Sequence, residues 1–180
     1  MIAISAHKIH GPKGVGALWL RDGVRPAPLL HGGGQEAGLR SGTLSPALCA
    51  GFGVAARLMR ERADADRTHV ESLASLARTL LPDWSLNGSA THRYPGNLNL
   101  RRDGIDGARL LSYCRNVAFS LGSACASGSG RPSHVLRALG LTDAQARGSV
   151  RIGFGRYTTP DEVERAARAL NEAAAAQAAP

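Results

Sequence analysis

Aromatic side chains are scarce, 4% of the 180 positions, although the formal net charge is +8. A positive balance invites a nucleic-acid reading, but such proteins concentrate their basic residues. Here the arginines are spread from Arg21 to Arg168 without a dense run. No nucleic-acid partner is expected, and an anionic ligand or an acidic partner accounts better for part of the charge. Cysteine is scarce too. Cys49, Cys114 and Cys125 are an odd number, with no C-x-x-C pair and no histidine at ligand spacing. Neither a disulfide framework nor a metal site is expected, and at least one thiol is free. No run of about 18 apolar residues exists, so no membrane span is expected. Met1 to Ser5 is too short to hold the regions of a signal peptide, which predicts a cytoplasmic protein. There is no internal repeat.

What is present is globular composition, 43% hydrophobic and 20% charged, with length for one large domain or two small ones. Met1 to Ser5 reads as a strand end and Gly14 to Arg21 as a second strand, joined by a Gly/Pro turn. Residues from Val24 to Gly42 read as loop. Ser45-Pro46 offers an N-cap and a first-turn proline to a helix that carries on past Ala63. The charged stretch Arg60 to Arg67 marks a crossing between subdomains. A second helix is expected from about His69 to Leu80. Short strands follow near Leu98, Val117 to Leu121 and Val150 to Phe154, interleaved with helices near Ala108 to Arg115 and Ser133 to Leu139. This alternation predicts an open α/β sandwich. Thr159 and Glu162 form a capping-box pattern for a last helix, whose alanine-rich end, Ala173 to Pro180, is expected to fray.

Four segments carry chemistry. In S-A-H-K-I-H-G-P-K-G-V-G, Lys8 sits in a turn whose glycines let backbone approach a ligand. A partly desolvated amine beside another cation is suited to forming a Schiff base, the alternative being a surface lysine in a Gly-Pro turn. Gly32 to Thr43 is rich in backbone N–H groups and leads into a helix, as phosphate cradles do, but it is neither of the standard glycine fingerprints and could be a flexible connection. In the small-residue stretch around Cys125, a thiol could swing out and exchange a group. Cys49 and Cys114 lie among apolar neighbours and are expected to be core. Arg151, inside an apolar strand, needs a carboxylate ligand or an internal acidic partner to offset burial.

Taken in order, S-A-H-K-I-H-G-P-K-G-V-G-A-L, H-G-G-G-Q-E-A-G-L-R-S-G-T, G-S-A-C and S-V-R-I-G-F-G-R resemble the cysteine desulfurases of the class V aminotransferase group. The stretch after Cys125 is similar to the housekeeping iron–sulfur assembly type. The resemblance implies the C-terminal part of a fold-type I α/β enzyme: the end of the large cofactor domain over 1–65 and the small C-terminal domain over 66–180. It implies pyridoxal 5′-phosphate as cofactor, carried covalently by Lys8, with Ser5 and His7 holding its phosphate. Thr43 would reach the phosphate of a neighbouring subunit's cofactor, so a homodimer is implied. Arg151 would grip the α-carboxylate of L-cysteine, and Cys125 would accept the sulfur as a persulfide for a scaffold protein or another thiol. In that family the lysine lies near mid-chain. The upstream half, with the aspartate on the pyridine nitrogen, is thus expected from a truncated or split reading frame or a separate chain. Ala37 departs from the arginine that the family commonly has there. Two other readings stay open: a non-catalytic remnant that dimerises or carries sulfur, and a selenocysteine lyase or other class V enzyme.

Overall fold

The structure, a computed structural model, describes residues 1–121 and 133–178. The expectation about the loop of Cys125 lies outside the described residues. Two compact units divide between Ala63 and Asp64.

In the first unit, β1 (Ile2–Ser5) pairs antiparallel with β2 (Gly16–Trp19), Ile2 facing Trp19 and Ser5 facing Gly16. Glycine is required at position 16, where a Cβ would stand 2.5 Å from the Ile4 carbonyl oxygen. The two strands are joined through one 3-10 turn, Ala6–Ile9, which His10 ends in the left-handed region (φ 65°). Ala6 is fully buried and anchors this turn. Its N–H donates to the Val15 carbonyl at 3.1 Å, and its own carbonyl accepts from Gly11 N–H at 2.9 Å. Helix α1 (Pro46–Glu61) opens on Ser45, whose Oγ accepts from Leu48 N–H at 3.5 Å. It packs against the turn at Ala55 and Gly51: a Cβ added to Gly11 would stand 3.2 Å from Ala55 Cβ, and one added to Gly51 would stand 3.2 Å from the Pro12 ring.

The expectation of one helix continuing past Ala63 is corrected. α1 ends at Glu61, Arg62 leaves helical geometry (φ −105°, ψ 5°), and α2 (Ala63–Leu80) begins six residues before the predicted His69. Asp64 and Asp66 in its first turn complement the positive end of the new helix.

The second unit holds a four-stranded antiparallel sheet. Its strands are β3 (Ser85–Leu86), β4 (Asn97–Arg101), β5 (Ser120–Leu121) and β6 (Ser149–Gly153), in the order β3-β4-β6-β5. Alternation along β4 and β6 buries Leu98, Leu100, Val150 and Ile152 on one face. That face packs into one core with Val70, Leu73 and Ala77 of α2, Leu110 of α3 (Gly107–Tyr113), and Val163, Ala167 and Leu170 of α6 (Pro160–Ala178). Helices α4 (His134–Ala138) and α5 (Asp143–Arg147) precede β6. The α/β fold is the expected one. The strand predicted over Val117 to Leu121 shrinks to its last two residues.

The fraying expected of the alanine-rich end is also corrected. α6 continues to Ala178, with Ala173 and Ala174 buried at 7% and 1% exposure. Alanine is both the best helix former and small enough for close packing. The capping box forms as predicted, Thr159 N–H donating to Glu162 Oε2 at 2.8 Å and Glu162 N–H to Thr159 Oγ1 at 3.3 Å. Trp84 Nε1–H donates to Asn171 Oδ1 at 3.0 Å, and Asn171 Nδ2 donates to the Leu80 carbonyl, fastening α6 to the end of α2.

Candidate functional site

Lys8 projects from the 3-10 turn and is exposed, as are Ser5 and His7. The turn's backbone is fixed by Ala6, while these three side chains have no hydrogen-bond partner among the described residues. The partial desolvation expected for the amine is not supplied by its own unit.

The Gly32 to Thr43 loop is braced by hydrogen bonds of its own. Gly34 N–H donates to Ser41 Oγ at 3.3 Å, Gly42 N–H to Gln35 Oε1 at 3.0 Å, and Gly38 N–H to the carbonyls of Gly34 and Gln35. Ser41 is buried and its own N–H reaches the Leu30 carbonyl at 3.1 Å. The N–H groups of Gly34, Gly38 and Gly42 are thus spent on the loop's own side chains and carbonyls. Ala37 stands in the left-handed region (φ 54°, ψ 32°), which a side chain of any size occupies reluctantly. Thr43, just beyond, is exposed. It lines a cleft of about 680 Å³ together with Ile4, Leu18, Leu39, Leu48 and Cys49.

Cys49 is exposed, so its assignment to the core is corrected: the apolar face of α1 that the sequence shows is only partly covered in this unit. Cys114 is buried as expected, its S–H donating to the Ala169 carbonyl at 3.4 Å. Burial pushes its thiol above the ordinary range, with the charge of Glu172 adding to the rise. Among the described residues no cluster of three or more His, Cys, Asp or Glu could hold a metal ion.

Arg151 lies in the second unit, on the polar face of the sheet. It is half-buried, and its Nε–H donates to Ser120 Oγ at 3.2 Å. Ser120 is its cross-strand partner on β5 and Asn99 its partner on β4, so the three side chains share one row. The internal carboxylate that burial could have required is not found among the described residues: no ion pair is made by Arg151. Beside this row lies a buried polar group. Arg101 Nη1 donates to Asn87 Oδ1 at 2.9 Å, Asn87 Nδ2 donates to Asn99 Oδ1 at 2.6 Å and to Ser149 Oγ at 3.0 Å, and Ser149 Oγ–H donates to the Gln145 carbonyl at 2.7 Å. Ser120, Asn99 and Asn87 were not anticipated from sequence. The available signal was the alternation in N-L-N-L-R, which sets Asn97, Asn99 and Arg101 on one face.

Lys8, Ser5, His7 and Thr43 therefore belong to the first unit and Arg151 to the second, while Cys125 lies outside the described residues.

A family model, aminotransferase class V, matches residues 1–166. A mitochondrial cysteine desulfurase of Saccharomyces cerevisiae is 50% identical over 177 residues, which is 96% of this chain and 36% of that protein. The cysteine desulfurase IscS of Azotobacter vinelandii is 46% identical over 178 residues, 96% of this chain and 44% of that one. Among solved structures, a NifS-like protein superposes with a TM-score of 0.82 at 32% identity, covering 94% of this chain and 44% of that one. The chain thus spans less than half the length of these relatives.

Proposed function

Because the chain belongs to the class V aminotransferase family, we propose that it is part of a pyridoxal 5′-phosphate-dependent cysteine desulfurase that converts L-cysteine to L-alanine and passes on the sulfur. The observation that carries this reading is the turn fixed by buried Ala6, which presents the Lys8 amine beside Ser5 and His7 with no partner of its own.

These residues suit the cofactor: a primary amine for its aldehyde, and a hydroxyl and an imidazole for its phosphate. Thr43 would add a hydroxyl to the phosphate held by a second copy, which makes a homodimer part of the proposal. When bound, the cofactor withdraws electrons from Cα of the attached amino acid. Arg151 holds the substrate α-carboxylate. Lys8 would take the Cα proton as general base. The Cys125 thiolate would bond to the substrate sulfur as the Cβ–S bond breaks, its electron pair staying with Cβ and taking up a proton there, which leaves alanine and a persulfide for a scaffold protein or another thiol. The remaining length of the relatives would bring the groups around the ring that this chain lacks, in the same polypeptide or a separate one. Cytoplasmic residence is part of the proposal. The yeast relative is named as mitochondrial, and cell fractionation decides.

A second reading, a non-catalytic module that dimerises or carries sulfur, is favoured by the exposure of all eight residues of β1 and β2. Mixing the purified chain with pyridoxal phosphate separates the two. Visible absorption that is lost in Lys8→Ala supports the enzyme, and its absence supports the module. In the complemented enzyme, Cys125→Ala is expected to keep that absorption and abolish sulfide release. Sulfide release persisting in that variant overturns the role of Cys125.

A further inference from the structure

Hydrogen-bond donors and acceptors on the polar face of the second unit's sheet can be assigned without ambiguity, because one end of the network is an arginine. A guanidinium only donates. Arg101 Nη1 lies 2.9 Å from the Asn87 side chain, so the atom it meets is Oδ1, and Asn87 must turn its Nδ2 toward Asn99 and Ser149. Both of those partners then have to accept. Ser149 is free to do so because its own proton goes to the Gln145 carbonyl. Asn99 accepts through Oδ1 at 2.6 Å. Its Nδ2, with two N–H donors, is left facing away from Asn87, with no partner among the described residues.

Asn99 stands directly across from Arg151 in the β4–β6 register, on the same face. Ser120, across from Arg151 on the other side, accepts from Nε and leaves Nη1 and Nη2 without a partner among the described residues. Two flanking strands therefore orient one cation and one amide. Each keeps N–H groups that no carboxylate of the described residues answers.

We propose that Asn99 is a second ligand for the α-carboxylate of a free amino acid, its Nδ2 sharing the anion with the Arg151 guanidinium, and that Asn87 and Arg101 are positioning residues that hold Asn99 in the donating orientation. The proposal rests on the reading of Arg151 as the carboxylate grip. It adds what one arginine cannot supply: two donor groups offered from neighbouring strands would fix the plane of the carboxylate as well as its charge.

The test uses the 180-residue chain labelled with ¹⁵N and titrated with L-alanine, the product, with L-alaninamide as the probe that lacks the anion. Side-chain resonances of Asn99 Nδ2 and Arg151 Nε are followed. Both are expected to move with L-alanine and to stay still with L-alaninamide. Asn99→Asp preserves the acceptor for Asn87 but replaces the donating amide by an oxygen, and is expected to weaken L-alanine binding by about tenfold or more. Should that variant fail to fold by circular dichroism, Asn99→Ala gives the same reading, since it too removes the donor. Asn97→Ala, on the same face but outside the network, is expected to bind as the parent does. If the Arg151 resonance moves while Asn99 does not, and the Asn99 variants bind normally, the proposal is overturned and the Arg151 grip stands. If neither resonance moves, the grip itself fails, and the role of Asn99 fails with it.

Discussion

Cys49 and Cys114 differ in a way that thiol labelling reads directly. One sits exposed at the cleft of the first unit; the other is 2% exposed, donates to the Ala169 carbonyl and has its thiol pushed up by burial. In a Cys125→Ser background, one equivalent of a thiol reagent is expected to react at once, at Cys49, and the second only with unfolding, because the thiolate is the nucleophile and burial disfavours it. Rapid reaction of both sites in the folded protein would contradict the packing of Cys114. Glu162 gives a pH prediction of definite sign. The Thr159 N–H, and then the Thr159 hydroxyl, hold its carboxyl below the ordinary value of 4.5. The folded pKa is the lower one, so the stabilisation is present above the unfolded value and is lost as pH falls through the folded one. Glu162→Gln should therefore melt below the parent at neutral pH, and the gap should close under acid. A gap that widens in acid would reverse the assignment.

At the scale of elements, two side chains determine how α6 meets its neighbours. Asn171 answers the buried indole of Trp84, so Asn171→Ala should cost about 1–3 kcal/mol in urea unfolding by leaving that N–H unmet. Ala174, 1% exposed, has no room for a larger group, and Ala174→Leu should cost a further ~1–3 kcal/mol through overpacking. A neutral result for Ala174→Leu would mean that the helix end is loose, as its composition alone suggests. Composition misleads there because the same alanines serve a frayed end and close packing in a core equally well. Elements with local start signals were legible: Ser45-Pro46 and Thr159 to Glu162 carry their caps within four residues. β3 was not, since a two-residue strand exists only by pairing with β4, and α5 was missed despite its Thr142–Gln145 capping box, because a five-residue helix leaves too short a period to read. Lys8 and Arg151 stood out because a lysine among glycines and an arginine among apolar residues break their local pattern. Asn99 did not, because a polar residue at alternate strand positions ordinarily means a solvated face.

Considered whole, the chain is unevenly furnished. Every buried member of the main apolar core lies between Val70 and Ala174, whereas the buried residues of the first unit are Ala6, Ser41 and Ala55. A two-stranded sheet is marginal by itself in water. Native-state hydrogen exchange should accordingly find the slow amides in β4 and β6 and fast exchange in β1 and β2, and a 64–180 fragment should still unfold cooperatively. Equal protection in both units would show that the first draws stability from something its burial does not reveal. The short strand β5 has a mechanical consequence of its own. Ser120, paired to β6 and bonded to Arg151, is five residues from Cys125, and five links of extended chain reach no more than about 18 Å. If Cys125 carries sulfur as proposed, a receiving group would have to come within that reach of Ser120.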